Sequence, residues 1–195
     1  MTFGSVLGHL PEARAVLRTA LDAVADLPTR VLMTVGRGID PADLVPFAPK
    51  VHIERWVPQH DVFARARLVV CHGGSGTTFG ALAAGLPLVV CPLFADQTAN
   101  GRLVEDAGAG VVLRPRERAD GGLRSLGSGD VAPLRHAIET VLREPSHLRI
   151  AQRIASEIAG TPTLESTFAM LLSETRSATT TKPAASSRRE DGRCP

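Results

Sequence analysis

Tyrosine is absent from this chain of 195 residues, and tryptophan occurs once, at Trp56. Lysine is almost missing as well. Lys50 and Lys182 are the two present, and arginine carries the rest of the positive charge, a bias that reflects genome composition rather than function. Neither sign of charge dominates. The 22 Lys and Arg against 20 Asp and Glu leave a formal net charge of +2, and the basic residues are scattered, so no nucleic-acid partner is expected. Three cysteines do not build a disulfide frame. Cys71 and Cys91 each end an apolar run and read as small buried hydrophobes. The adjacent pair Cys71-His72 is not a zinc-ligand spacing. No apolar run approaches the roughly 18 residues of a membrane span, and no charged-then-apolar leader opens the chain. A cytoplasmic protein without a transmembrane segment is the expectation. A Walker loop requires Gly-Lys, which never occurs.

What is present is enough apolar residue, 44%, for a core, and a length suited to one ordinary domain with residues to spare. Strand and helix signals alternate along it. Residues 11–26 carry Ala13, Val16, Leu17, Ala20, Leu21 and Val24, an apolar stripe at helical spacing. Apolar runs at 30–35, 51–53, 68–71, 86–91 and 110–113 read as strands. Helices are expected at 58–64, 76–84, 97–107, 130–143, 145–159 and 162–172. Residues 114–129 read as a loop.

This alternation predicts an α/β, Rossmann-like doubly wound parallel sheet with helices on both faces and a helical C-terminal end. One domain is expected over 1–172. The Ser/Thr/Ala/Arg-rich stretch 173–195 reads as a disordered tail. Met1-Thr2-Phe3 reads as the end of a first strand entering a turn at Gly4-Ser5. Three residues are short against the usual strand of about five to six, so this strand is expected to be truncated.

The most informative segment is His72-Gly73-Gly74-Ser75-Gly76-Thr77-Thr78, at a strand-to-helix turn. Glycines there let backbone approach a ligand closely. The helix start offers unpaired N–H groups and a partial positive charge, a site for phosphate. A histidine at the first position adds a side-chain donor. In doubly wound sheets ligands lie beyond the carboxyl ends of the strands. This turn, Trp56 and Asp96 all follow expected strands and can line one crevice.

From Trp56 to Leu113 the chain resembles the C-terminal, nucleotide-sugar-binding domain of GT-B fold glycosyltransferases. The branch is that of the UDP-glucuronosyl- and glucosyltransferases and of bacterial natural-product transferases. The residues carrying the resemblance stand in order: Trp56-Val57-Pro58-Gln59, the His72–Thr78 turn, Gly85-Leu86-Pro87, Pro92-Leu93-Phe94-Ala95-Asp96-Gln97, and Asn100. Phe3-Gly4-Ser5 matches the first strand and turn of such a domain, and the resemblance covers about 1–173.

The resemblance implies roles. Trp56 and Val57 would read the nucleotide base, with Gln59 near base and ribose. Ser5, His72, Gly74, Ser75, Gly76 and Thr77 would hold the diphosphate, His72 stabilising the leaving group. Asp96, Gln97 and Asn100 would meet the donor sugar. No cofactor or metal is implied; the donor would be a TDP- or UDP-sugar, transferred with inversion to a small natural-product or lipophilic acceptor. Plant members place a ribose-gripping glutamate where this chain has Gly80, which tilts the expectation toward TDP. The general base and acceptor site of such enzymes lie mostly in an N-terminal half. The expectation is therefore a fragment, or one half of a split enzyme, partnered by a separate acceptor-binding half. The rival readings are a nucleotide-sugar 2-epimerase, a non-catalytic module binding a nucleotide sugar or a partner, and a nicotinamide dehydrogenase. Against the last, the motif Gly-x-Gly-x-x-Gly starts at Gly74 but meets Phe79 at its sixth place.

Overall fold

The computed structural model describes residues 1–114 and 126–180. Five short strands, β1 (Val31–Thr34), β2 (Val51–Glu54), β3 (Val69–Cys71), β4 (Leu88–Val90) and β5 (Gly110–Val112), alternate with helices. The helices are α1 (Ala13–Val24), α2 (Gln59–Phe63), α3 (Ser75–Ala83), α4 (Gln97–Asp106), α5 (Val131–Arg143), α6 (Pro145–Ala159) and α7 (Leu164–Thr180). Each of these was expected, with ends shifted by a few residues; the strand end expected at Met1-Thr2-Phe3 is present only as isolated bridges at Thr2.

All strand pairs are parallel: β1 with β2, β3 with β4, and β4 with β5. Thr2 joins the two sets. It bridges Thr34 on one side and Cys71 on the other, both in parallel. Thr34 N donates to Met1 O (2.9 Å) and Thr2 N to Val70 O (2.9 Å). The spatial order is therefore β2, β1, residues 1–3, β3, β4, β5. The chain first winds one way from residues 1–3 and then the other, so the topological switch point lies between Gly4 and β3.

Side chains alternate across this sheet and divide the core in two. Met33, Val70, Val89 and Cys91 join the buried stripe of α1 and the inner face of α5. Val69, Cys71, Leu88 and Val90 face the other way, toward α3, α4 and α6. Strands buried on both faces read as continuous apolar runs, as parallel sheets with helical crossovers require. Leu17 and Leu134, both 1% exposed or less, anchor α1 and α5 to the sheet; truncating either to alanine costs about 2–5 kcal/mol.

Residues Met1–Ala159 form one compact unit and Gly160–Pro195 a second. In the second, Thr163 caps α7 by accepting from Ser166 N (3.2 Å). The helix expected at 162–172 continues to Thr180, so the stretch read as tail is helical over its first residues. The apolar stripe Leu164, Phe168 and Leu171, expected to give a face to bury, is exposed (54–71%). The rest of that stretch, 181–195, and most of the expected 114–129 loop lie outside the described residues. Leu126, at the end of that loop, is fully buried in the first core.

Candidate functional site: a cleft at the sheet's switch point

The carboxyl ends of β2, β1, residues 1–3, β3 and β4 open onto one cleft of about 740 Å³. Every residue predicted for the site lines it except Asn100: Ser5, Trp56, Val57, Gln59, His72, Gly74, Ser75, Gly76, Thr77, Asp96 and Gln97. The unforeseen lining comes chiefly from the turn after β1, with Gly36 and Arg37, and from Arg55, Phe94 and Ala95.

The floor is the start of α3. Gly74 precedes the helix in extended conformation and no side chain caps it. Thr78 N is the first to bond within the helix, to Gly74 O (3.0 Å). The N–H groups of Ser75, Gly76 and Thr77 have no protein partner among the described residues, and a β-carbon on Gly76 would meet open space.. Three aligned donors at the positive end of a helix face the cleft.

His72 stands above them in a slot between two turns. A β-carbon on Gly4 would lie 2.8 Å from its Nε2, and one on Gly74 2.5 Å. Gly74, in the turn read as letting backbone approach a ligand, and Gly4, read as a turn glycine, thus both make room for the imidazole. Its Nδ1 is buried with no hydrogen-bond partner. Burial lowers the His72 pKa below the ordinary 6.5, against the opposing pull of the Asp96 carboxylate and the Thr2 backbone. The free protein therefore holds a neutral imidazole here at pH 7.

Asn100 sits behind the wall rather than in it. Its Nδ2 donates to Gly73 O (2.9 Å), to Ser75 Oγ (3.2 Å) and to Asp96 Oδ2 (3.1 Å). Ser75 Oγ in turn donates to Asp96 Oδ2 (3.1 Å). One amide so ties the glycine turn, the first residue of α3 and the start of α4 together. Sequence reasoning put Asn100 near the ligand but missed this linkage.

Two other predicted residues are partly occupied. Gln59 and Thr77 pair through their side chains (3.1 Å from Nε2 to Oγ1), clamping α2 to α3. Gln97 is 3% exposed, and its Oε1 accepts from Leu93 N (2.9 Å) and Phe94 N (3.1 Å). Its amide nitrogen is what remains for a ligand. Between these turns Ala95 adopts φ 55°, a left-handed conformation that costs a non-glycine residue about 1–2 kcal/mol. Trp56, 65% exposed, presents an uncovered indole at the far end of the cleft. Ser5 is exposed at its middle. Gly80 lies outside the cleft; its β-carbon would press on Phe63 Cε2 at 3.1 Å, so close packing of α3 on α2 asks for glycine. Among the described residues no three His, Cys, Asp or Glu side chains gather into a metal-ligating set, and no helix is long and apolar enough to cross a membrane.

A parallel doubly wound sheet, with a helix start of unpaired N–H groups at its switch point, defines an α/β domain of the Rossmann-like class. The family model described as "Erythromycin biosynthesis protein CIII-like, C-terminal domain" matches residues 18–171. The chain belongs to that family and is a C-terminal domain of GT-B glycosyltransferases. It is 34% identical over 162 residues to elloramycin glycosyltransferase ElmGT of Streptomyces olivaceus, covering 83% of this chain and 37% of that one. To the NDP-glycosyltransferase YjiC of Bacillus licheniformis it is 31% identical, covering 81% and 40%. The structure of the calicheamicin glycosyltransferase CalG4 superimposes with a TM-score of 0.66 at 31% identity, covering 81% of this chain and 36% of that one. The spinosyn rhamnosyltransferase SpnG complexed with thymidine diphosphate gives 0.66 at 27% identity, covering 83% and 41%. The chain thus spans less than half the length of these relatives.

Proposed function

We propose that this domain binds a nucleoside diphosphate sugar in the cleft and serves its transfer, with inversion, to a small natural-product or lipophilic acceptor. The observation that carries the reading is the helix start with three unpaired N–H groups beneath a glycine-slotted imidazole. It suits a diphosphate: fixed donors meet the anion without reorganisation. Trp56 offers an aromatic face to the base, and Asp96 with the Gln97 amide offers an acceptor and a donor to sugar hydroxyls.

The chemistry follows from the charges. The acceptor oxygen attacks the anomeric carbon from the side opposite the leaving group. The bond from that carbon to the β-phosphate oxygen breaks, and its electron pair stays on the phosphate. Negative charge grows where the N–H groups of Ser75, Gly76 and Thr77 and the His72 imidazole converge. Removing one such donor costs about 10²–10³ in rate. These donors supply the stabilisation that a metal ion would otherwise give, and we assign no metal to the step. The proton of the acceptor goes to a base that we place in an acceptor-binding half, on the same chain or a separate one.

Thymidine diphosphate is our preferred nucleotide, because the SpnG neighbour was solved with thymidine diphosphate. Calorimetry of the chain with thymidine and uridine diphosphates tests the reading. Binding of either supports it, the tighter one names the base, and binding of neither overturns it.

A further inference from the structure

We infer that Arg37 is a further donor-binding residue, which pairs with the phosphate nearer the nucleoside. The inference rests on the nucleotide-sugar reading of the cleft and adds to it a contact outside the glycine turn.

Two observations carry it. The first is charge. A nucleoside diphosphate brings at least two negative charges into a cleft whose ionisable lining is His9, Arg37, Arg55, His72 and Asp96. Asp96 opposes the ligand. His72 is held neutral by burial. Arg55 is engaged by Asp40 (3.1 Å). Arg37 makes no hydrogen bond or ion pair among the described residues. It is the one uncommitted guanidinium in the lining, a group that stays charged at any relevant pH and offers a planar fork to phosphate oxygens.

The second is position. The strand order lays the site out as a ruler: Trp56 after β2, Arg37 after β1, Ser5 after residues 1–3, His72 after β3, Asp96 after β4. Adjacent strands lie about 4.8 Å apart, so these five ends span about 19 Å, room for an extended nucleotide sugar. With the base at Trp56 and the leaving oxygen at His72, the nucleoside-side phosphate falls between them. The turn bearing Arg37 abuts the turn bearing Ser5: a β-carbon on Gly36 would lie 3.6 Å from Gly4 O. The guanidinium thus reaches that phosphate from the turn beside Ser5, and the ligand is held by it together with the start of α3.

Calorimetry of the chain with thymidine, thymidine monophosphate and thymidine diphosphate tests this, comparing wild type, Arg37→Gln and Arg55→Gln. Arg37→Gln is expected to weaken monophosphate and diphosphate alike, roughly five- to tenfold, and to leave thymidine unchanged. The deficit shrinks as salt is raised, because the lost contact is ionic. Arg55→Gln, whose charge Asp40 already absorbs, is expected to change affinity less than threefold. Unaltered phosphate binding in Arg37→Gln, an equal loss for thymidine, a loss confined to the diphosphate, or equal losses from both arginines overturns the assignment. Failure of wild type to bind thymidine diphosphate overturns the underlying reading as well, and so is told apart from failure of Arg37 alone.

Discussion

His72 Nε2 stands 2.5 Å from where a β-carbon on Gly74 would be, so the glycine makes room for the histidine. Gly74→Ala is expected to push the imidazole out of its slot between the two turns. The fold pays about 1–3 kcal/mol for overpacking. Diphosphate affinity falls with the loss of a charge-assisted hydrogen bond, about 1.5–3 kcal/mol. Calorimetry on Gly74→Ala and His72→Ala checks it. The two variants are expected to lose similar affinity for thymidine diphosphate and little for thymidine.

The buried imidazole predicts a pH dependence with opposite signs in the free and bound protein. Its pKa in the fold lies below the 6.5 of an exposed histidine. The unfolded chain therefore binds the extra proton first as pH falls, and stability is lost below about pH 6.5. Bound diphosphate reverses this. A dianion beside Nε2 raises the His72 pKa, binding takes up a proton, and affinity rises as pH falls between the two values. The ligand's own second ionisation lies near pH 6 and acts against the trend. Binding curves for wild type and His72→Gln from pH 5.5 to 8 separate the two, since the protein's contribution vanishes in the variant.

Asn100 holds the site by reaching three acceptors from behind. Asn100→Ala is expected to weaken nucleotide-sugar binding by about 1–2 kcal/mol, having removed the one side chain that ties Gly73, Ser75 and Asp96 together. Asn100→Asp is expected to be worse. It puts a second carboxylate about 3 Å from Asp96, and one of the two must take a proton to fit. Thermal melts and calorimetry of the pair check the order, with the aspartate variant recovering at low pH.

Ala95 sits in left-handed backbone just before Asp96. Ala95→Gly is expected to relieve strain of about 1 kcal/mol at the cost of a looser unfolded chain, leaving the melting temperature within a few degrees of wild type. Ala95→Val, with a branched side chain at φ 55°, is expected to destabilise and to shift Asp96. Melting curves with and without nucleotide distinguish the two.

Much of the fold was legible because its signals are local. The stripe Ala13 to Val24 and the apolar runs of β3 and β4 follow from period and burial. That Thr2 joins the two halves of the sheet was not legible, since pairing with Thr34 and Cys71 is made over long separations. The site divides the same way. The strand-to-helix turn with its unpaired N–H groups is contiguous in sequence and was readable from its glycines. Asn100's bond to Gly73 O spans 27 residues, and the Gln59–Thr77 clamp spans 18; neither leaves a spacing to read. Arg37 was passed over because one arginine among many carries no pattern. Its solitude shows only when Arg55 is seen paired with Asp40.

Diffraction from crystals of the chain grown with thymidine diphosphate bears most directly on all of this. The account places the diphosphate oxygens about 2.7–3.2 Å from the N–H groups of Ser75, Gly76 and Thr77, beneath His72, with the base on Trp56. Nucleotide bound away from the start of α3, or crystals that take up none at saturating concentration, would contradict it.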